Sequence, residues 1–407
     1  MKKQLFSLLC AFALLLCAAP SASALEGESL AAAKTLADLH LIDALPSAKD
    51  LENPASRLQA AELLMRLDDS LQPSQNISPQ DYASSREWDI LFGGLKEAVS
   101  AGELCGALLH LLGYEGVDYE SAPLFARRVG LITHNYGPLL SLGSLFQLIR
   151  DALIFPDKGG SALAQRLVKK GLCTQEDIQP LFPEELNARQ IADRHMAAVF
   201  RLDSYQSEEN YKTGRVDDLA SGFFVSPDGL ALTNYHSIHG AVQSTATLLT
   251  GECFAVEKVV FCDPGADLAL LQISKTSTDG LTAPFFSFLE LAETPDLRTG
   301  DQVYTIGAPL GITLAVSSGI ISNTALRTSI SAYSCILNTA DISRGSSGGA
   351  LLNSYGHVIG VTSGAYEAGN NLYISIPAAP VLKADWNAEG NTLAEIAENM
   401  ANLQKIE

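Results

Sequence analysis

The sequence is poor in basic residues. Its 407 residues include 27 Lys and Arg against 46 Asp and Glu, which leaves a formal net charge of −19. No basic run compensates for this excess of acid. A protein that binds nucleic acid or an anionic membrane surface must neutralise phosphates with Lys or Arg. The composition therefore argues against both kinds of partner, and we predict that the protein does not bind nucleic acid.

Long apolar runs are absent after the first 20 residues. Lys2 and Lys3 precede an apolar stretch from Leu5 to Ala19, and Ala22-Ser23-Ala24 follows it. This order is typical of a secretory signal peptide, whereas a membrane anchor, the alternative, needs about 20 apolar residues. We predict a signal peptide over residues 1–24 and an exported protein, extracellular or in the cell envelope. Its removal takes both lysines and changes the formal charge from −19 to −21.

Cysteine is scarce, and its spacing is irregular. Without the signal peptide, five cysteines remain: Cys105, Cys173, Cys253, Cys262 and Cys335. The number is odd and no pair has the spacing of a metal knuckle, so we predict no metal site. Export would permit a disulfide between Cys253 and Cys262. Small buried thiols are the alternative.

The first half of the sequence has helical periodicity. Apolar residues recur at three-four spacing, as in "SRLQAAELLMRL" and "SLGSLFQLIRDALI", which predicts a helical module over residues 25–188. The stretches "NPASRLQAAELLMRL" and "LLGYEGVDYESAPLFARRVGLI" resemble S-layer homology repeats of exported envelope proteins, and this resemblance implies binding to cell-wall polymer. Ser56-Arg57-Leu58-Gln59 keeps the arginine of the repeat signature but not its acidic residue. A plain helical packing module is the alternative.

The second half changes to short β-branched runs broken by turns, from about Ile191 onward. Segments such as "SGFFVS", "LALTN", "LALLQI" and "HVIGVTSG" follow one another closely, which indicates an all-β barrel or sandwich. We place this domain at residues 189–385. The last segment, 386–407, is predicted to be a C-terminal helix that covers the barrel.

Two adjacent serines in "SRGSSGGALLN" raise the question of a nucleophile. A serine hydroxyl needs a base to take its proton and a third group to orient that base. Candidate bases are His236 and His239 in "LALTNYHSIHGA". Candidate orienting acids are Asp263 and Asp267 in "FCDPGADLALLQI".

Together these segments resemble the trypsin-like fold in its bacterial HtrA branch. The matching stretches are "SGFFVSPDGLALTNYH", "ADLALLQI" and "ISRGSSGGALLNSYGHVIGV", in the order His, Asp, Ser that this fold uses. "GDQVYTIGAPLG" and "VSSGIISN" fit the same plan. The resemblance covers residues 190–382 and implies two six-stranded β-barrels with the catalytic site in the cleft between them. Only 30 residues follow Pro377, so we expect no PDZ domain of the kind that HtrA proteins commonly carry.

The resemblance also implies a role for each site residue. It makes His236 the general base, Asp267 the orienting acid and Ser347 the nucleophile, with the amides of Gly345 and Ser347 as the oxyanion hole. Ser346 stands where digestive relatives have the aspartate that pairs with a newly cut N-terminus. We therefore expect no activation by that kind of cleavage.

Specificity residues are less well marked. Asp341 lies six residues before Ser347, where trypsin has the acid that selects Lys or Arg. The HtrA-like pattern instead implies that Ile342 lines the pocket and that Asp341 sits in a turn. We favour an apolar pocket formed with Ile342 and Ser363, and keep a pocket for basic residues as the alternative.

These features predict an exported serine endopeptidase that cleaves protein or peptide substrates through an acyl-enzyme, in processing or quality control at the cell envelope. This mechanism needs no cofactor. The protein could also form a homo-oligomer. An inactive protease scaffold or an envelope-anchored binding protein is the alternative, because a sequence does not show whether the nucleophile loop has an active shape.

Overall fold

A computed structural model describes residues 22–68, 70–71, 77–86, 94–114, 116–132, 136–157, 161–182, 185–292, 297–365 and 371–403. The proposed signal peptide lies outside these residues, except for its last three. Contacts divide the chain into two compact units. The first comprises Met1–Pro123 and Asn135–Phe182, and the second comprises Leu124–His134 and Pro183–Glu407. No helix in the described part is both long and apolar enough to span a membrane.

The N-terminal half contains helices, as its periodicity predicts. They are Ala22–Asp38, Ala48–Leu51, Arg57–Leu67, Pro79–Ser85, Ala101–Leu111, Ala122–Arg128, Leu142–Ile154, Leu163–Lys169 and Gln175–Ile178. Their apolar positions are buried; Leu64, Leu104 and Leu108, for example, are at most 1% exposed. Helical spacing puts such residues on one face, where they can form a common core.

Three short segments of the first unit are paired with one another. Isolated antiparallel bridges join Ser56 to Ala98, Ser100 to Leu139, and Ser141 to Pro54. Each of the three serines is also the N-cap of a helix and accepts a hydrogen bond from a backbone amide three residues later. A capping hydroxyl satisfies a donor that the first helical turn would leave free. The first unit thus contains the same local structure three times: a bridged segment whose serine caps the following helix.

The second unit contains two closed six-stranded barrels. Its helix Ala188–His195 precedes the first barrel, whose strand order is β1-β2-β3-β6-β5-β4. These strands are β1 (Val199–Tyr205), β2 (Asp218–Phe224), β3 (Leu230–Thr233), β4 (Gln243–Leu248), β5 (Cys253–Asp263) and β6 (Leu268–Ser277). A short helix, Glu208–Thr213, lies between β1 and β2.

The second barrel has the order β10-β11-β12-β9-β8-β7. Its strands are β7 (Gln302–Gly307), β8 (Ala315–Leu326), β9 (Cys335–Asn338), β10 (Ala350–Asn353), β11 (Val358–Ala365) and β12 (Tyr373–Pro377). All adjacent strands in both barrels are antiparallel, with bulges in several pairs. The double barrel predicted from the sequence is therefore confirmed.

Alternating side chains fill the first barrel. Phe200 and Leu202 of β1 are fully buried and pack with Phe224 and Phe254. The period of two follows from strand geometry, because successive side chains point to opposite faces. The final helix, Leu393–Leu403, adds Leu393 and Ile396 to this core.

The cysteines of the described residues are all free thiols. Cys253 and Cys262 both lie on β5 and are not joined. Burial raises the pKa of the Cys105 thiol to about 12, so this group stays protonated at neutral pH. No cluster of three or more His, Cys, Asp or Glu that could hold a metal ion occurs in the part of the chain that the structure describes.

A buried ion pair joins segment 124–134 to the first barrel, inside the second unit. Arg128 Nε donates to Glu252 Oε2 at 2.9 Å, and a second bond joins Arg128 Nη2 to Glu252 Oε1. The two side chains are only 4% and 7% exposed. Removing one partner of such a pair would leave an uncompensated charge in the interior.

Candidate active site

His236 and Asp267 form the most strongly connected pair of the predicted site. His236 begins the short 3-10 helix that follows β3, and Asp267 immediately precedes β6. The Asp267 carboxylate accepts from the backbone N–H of His236 with Oδ1, at 2.8 Å, and contacts His236 Nδ1 with Oδ2, also at 2.8 Å. A carboxylate can only accept, so Nδ1 carries the proton and Nε2 is left unprotonated in the neutral imidazole. The ring thus has the tautomer that a general base needs.

The backbone at Asp267 directs its carboxylate into this position. Asp267 has φ of 58°, a left-handed conformation that non-glycine residues seldom adopt. Its own carbonyl accepts from the Asn234 side-chain amide at 3.0 Å. Because Asp267 is only 5% exposed, little water competes for its hydrogen bonds.

The electrostatics of His236 favour its charged form. Burial opposes protonation, but the hydrogen bond and charge of Asp267, with a smaller contribution from Asp218, outweigh it. The pKa of His236 is therefore raised above its usual value. A raised pKa stabilises the imidazolium that forms when the base accepts a proton.

Ser347 is connected to the same carboxylate through one further residue. Its hydroxyl donates to the Ser363 carbonyl at 2.9 Å, and the Ser363 hydroxyl donates to Asp267 Oδ2 at 3.1 Å. The structure therefore brings His236, Asp267 and Ser347 into one hydrogen-bonded group, with Ser363 in the middle. No hydrogen bond joins Ser347 to His236 among the described residues.

The loop around Ser347 needs glycine at two positions. Gly345 has φ of 92° and Gly348 has φ of 84°. A Cβ on Gly345 would lie 2.6 Å from the Ala308 carbonyl oxygen, and one on Gly348 would lie 2.1 Å from the Ser221 carbonyl oxygen. Both contacts are too close for any side chain, so the Gly-x-Ser-Gly spacing follows from the geometry.

Two amides of this loop are free to bind an anion. In the described structure, neither the Gly345 N–H nor the Ser347 N–H donates to a protein acceptor. The neighbouring Ser346 N–H instead donates to the Ser343 carbonyl at 2.9 Å. Free backbone donors close to a nucleophile are the components of an oxyanion hole.

The other candidates from the sequence lie outside this network. His239 is exposed and stacks edge-on against Tyr235, with ring centroids 5.7 Å apart. Asp263 Oδ1 accepts from the Ala266 N–H at 2.9 Å, inside the turn before β6. The Ser346 hydroxyl is buried and accepts from the Ser343 N–H at 3.3 Å.

The three specificity candidates have different surroundings. The exposed Asp341 carboxylate accepts a hydrogen bond from the Tyr373 hydroxyl. Ile342 is half-buried. Ser363 is 7% exposed, and both its hydroxyl and its carbonyl belong to the hydrogen-bonded group around Asp267.

Sequence reasoning missed some of the residues that hold the site. Asn234 could have been noticed, because it stands two residues before His236. Ser221 carries no local signal, since a lone serine in "LASGFF" reads as an ordinary strand residue. The bond between Ser363 and Asp267 spans 96 positions and has no sequence signature.

Residues 220–361 match the trypsin-like peptidase domain. The matched residues lie within the second unit and include strands of both six-stranded barrels. The region includes His236, Asp267 and Ser347.

Among curated relatives, a probable periplasmic serine endoprotease DegP-like of Chlamydia trachomatis is 33% identical over 233 residues, 56% of this chain and 42% of the relative. Serine endoprotease DegS of Haemophilus influenzae is 33% identical over 221 residues, 52% of this chain and 61% of the relative. The chain thus spans about half the length of the relatives it matches. A crystal structure of a serine endoprotease from Yersinia pestis aligns at 27% identity with a TM-score of 0.41, over 48% of this chain and 64% of that one. Both relatives are named as serine endoproteases.

Proposed function

We propose that the protein is an exported serine endopeptidase that hydrolyses peptide bonds through an acyl-enzyme. The observation that carries this proposal is the pair of hydrogen bonds that Asp267 accepts from His236. They leave Nε2 unprotonated in the same hydrogen-bonded group as Ser347. The names of the relatives and the match to the peptidase domain support it.

In this mechanism Ser347 attacks the carbonyl carbon of the scissile peptide bond. His236 Nε2 takes the hydroxyl proton and then returns it to the leaving amine, while Asp267 stabilises the imidazolium. The free N–H groups of Gly345 and Ser347 bind the oxyanion of the tetrahedral intermediate. Water then attacks the acyl-enzyme, with His236 again as the base. The protein's own residues supply every group of this cycle.

Before attack, Ser347 must change its hydrogen bond. Its hydroxyl rests on the Ser363 carbonyl at 2.9 Å, so rotation about the Cα–Cβ bond has to bring it to His236. Uncovering the Ser363 carbonyl would free an acceptor for a backbone N–H of the substrate. The Gly345 and Ser347 amides are free although position 346 holds a serine and not the aspartate of digestive relatives. This supports activity without cleavage of a pro-segment.

Labelling with a fluorophosphonate tests the enzyme proposal directly. The mature, folded protein should be labelled at Ser347, and Ser347→Ala should abolish both labelling and cleavage of unfolded casein. Ser346→Ala is the matched control and should retain both. Absence of labelling in the folded wild type would favour the alternative, a catalytically inactive scaffold.

For specificity we propose an apolar pocket that involves Ile342 and Ser363. The hydrogen bond from Tyr373 to Asp341 supports this choice, because it occupies the carboxylate that would otherwise meet a basic side chain. Peptide-library profiling decides the question: cleavage after aliphatic residues fits the proposal, whereas cleavage after Lys or Arg that is lost in Asp341→Ala would replace it with the basic pocket.

We further propose that the protein works in the envelope or outside the cell, with proteins or peptides as substrates, and that it can form a homo-oligomer. The printed names of the DegP-like relatives from Chlamydia trachomatis and Bartonella henselae call them probable periplasmic proteins, and the signal-like N-terminus agrees. The mass of the purified mature chain in solution, measured by light scattering, tests self-association.

A second proposed activity belongs to residues 25–188, which we suggest bind cell-wall polymer. The three bridged, serine-capped segments favour it, because they indicate an internally repeated module. A pocket in the first unit is lined in part by Gln59, Glu62 and Arg66, groups that can hydrogen-bond sugars or an anionic polymer. Sedimentation of the mature protein with purified cell wall is the test. Sedimentation of the wild type with the cell wall that decreases in Arg66→Ala would support binding. If the wild type does not sediment with the cell wall, the binding proposal is wrong.

A further inference from the structure

Ser221 of β2 contacts the nucleophile loop through two of its polar groups, the hydroxyl and the backbone N–H. It is fully buried in the strand, 0% exposed. Its hydroxyl donates to the Gly345 carbonyl at 2.7 Å and accepts from the Ala308 N–H at 2.8 Å. Its backbone N–H donates to the Ser347 carbonyl at 2.7 Å. One residue of the first barrel thus holds both sides of the loop in the second barrel.

Ser221 is itself held firmly. Its carbonyl accepts from the Thr233 hydroxyl at 2.7 Å, so all of its backbone and side-chain polar groups are paired. The hydroxyl has one donor and one acceptor partner, which fixes the direction of its proton. A side chain with its polar groups satisfied in this way is a rigid support.

The contacts of the loop determine where its amides point. In a trans peptide the N–H is antiparallel to the C=O of the same plane. The Arg344 carbonyl accepts from the Leu310 N–H at 2.6 Å, which turns the Gly345 N–H to the opposite side. The Ser346 carbonyl accepts from the Thr362 hydroxyl at 2.5 Å, which does the same for the Ser347 N–H.

Ser221 controls the peptide plane between these two. That plane joins Gly345 to Ser346, and its carbonyl is the one that Ser221 holds. Gly345 has no side chain and a left-handed φ, so the planes on either side of it can rotate more easily than those of any other residue type. Without the Ser221 hydroxyl, this middle plane keeps only the bond from the Ser346 N–H to the Ser343 carbonyl at 2.9 Å. The relative direction of the two free amides is then held less firmly.

We propose that Ser221 is a positioning residue that keeps the Gly345 and Ser347 amides directed at one point. This proposal rests on the proposed serine peptidase function. Ser221 does not touch the reacting atoms; it acts through the backbone of residues 345–347. Its contribution belongs to the transition state, where the oxyanion forms, and not to binding of the substrate.

Kinetics of Ser221→Ala test this role. We expect kcat to fall about 10- to 100-fold, with KM within twofold of wild type, because one oxyanion donor contributes about 10²- to 10³-fold when lost outright. Affinity for a peptide boronic acid, which forms a tetrahedral adduct with Ser347, should fall by the same factor as kcat. The peptide is chosen by library profiling.

Ser244→Ala is the matched control. Ser244 is also a fully buried strand serine of the first barrel, and its hydroxyl contacts the Ser204 hydroxyl at 2.9 Å, not the loop. Thermal unfolding of both variants sets a temperature at which each is folded. Three results would overturn the proposal. In Ser221→Ala, kcat could be unchanged, or only KM could change. In Ser244→Ala, kcat could fall as much as in Ser221→Ala.

Hydrogen exchange separates this proposal from the enzyme proposal. Amides of residues 343–349 should exchange faster in Ser221→Ala than in wild type and in Ser244→Ala, whether or not the protein hydrolyses peptides. Equal exchange in the two variants would refute the positioning role of Ser221. If the wild type cleaves nothing while exchange responds as expected, the peptidase proposal fails and the structural support of the loop stands.

Discussion

The Ser347 hydroxyl donates to the carbonyl of Ser363, and the Ser363 hydroxyl donates to Asp267. A single residue of β11 therefore contacts both the proposed nucleophile and the proposed orienting acid. Its carbonyl holds Ser347 in a resting position, and its hydroxyl occupies part of the carboxylate that faces His236. Ser363 therefore links Ser347 to Asp267 before any substrate binds.

Replacing Ser363 by Ala should lower kcat about tenfold. The change removes one hydrogen bond to a charged carboxylate, worth about 1.5 kcal/mol at the lower end of the usual range, and leaves the backbone carbonyl in place. Steady-state kinetics on a fluorogenic peptide measure the effect. The control is Ser375→Ala on β12, a fully buried serine of the same barrel, which should keep its kcat. A similar loss in both variants would mean that the substitution disturbs the barrel and does not act through Asp267.

Activity should rise with pH as His236 loses its proton. The base works only as neutral imidazole, and Asp267 and Asp218 raise the pKa of His236, so the acid limb of kcat/KM should lie above the usual histidine value of about 6.5. Asp218→Asn should move this limb to lower pH with little change in the plateau. A limb that does not move would show that Asp218 has no influence on the base.

Replacing Asp267 by Asn should nearly abolish turnover. The amide can donate to Nδ1, which would place the ring proton on Nε2 and remove the base; a loss of about 10⁴-fold in kcat is expected. Fluorophosphonate labelling should slow in parallel. Turnover close to wild type would assign the orienting role to another acid, and Asp263→Asn is the matched variant that should retain activity.

The two neighbouring histidines should differ in effect. His236→Ala should remove the general base and most of the activity, whereas His239→Ala should leave kcat unchanged because His239 lies outside the hydrogen-bonded group. Peptide hydrolysis by both variants, with their melting temperatures, is the measurement. Equal loss in the two folded variants would contradict the choice of His236.

Replacing Arg128 by Met should lower the free energy of unfolding of the second unit by about 3–5 kcal/mol, because Glu252 is left buried and unpaired. The double variant with Glu252→Leu should recover part of this loss. Chemical denaturation measures both. The control, Lys212→Ala, breaks an ion pair with Glu208 whose side chains are 74% and 60% exposed. It should lower the free energy of unfolding by less than about 1 kcal/mol. A similarly small loss in Arg128→Met would mean that the buried pair contributes little to stability.

Much of the fold was accessible from the sequence because its signals are local. Short β-branched runs with turn residues between them predicted an all-β barrel or sandwich, and three-four spacing predicted the helices. The resemblance to the trypsin-like fold implied the two six-stranded barrels. The ends of the helices were harder to predict. The final helix runs from Leu393 to Leu403, which is shorter than the predicted segment 386–407. Helix ends depend on caps and on packing as well as on periodicity.

The site was predicted in part for the same reason. His236, Asp267 and Ser347 each stand in a short stretch that resembles a known motif, and the structure joins them in one hydrogen-bonded group. Ser221 was missed because its role depends on a partner 124 residues away. A strand serine has the same local appearance whether it faces solvent or supports a loop.

The sequence by itself determined the two kinds of domain, the order His, Asp, Ser and the need for glycine around the serine. These properties depend on side-chain type and on a few neighbouring residues. The tertiary structure alone decided that Ser363 links Ser347 to Asp267 and that Ser221 holds Gly345. Such contacts form only when the barrels close and bring distant strands together, and the hydrogen-bond directions that result follow from that packing.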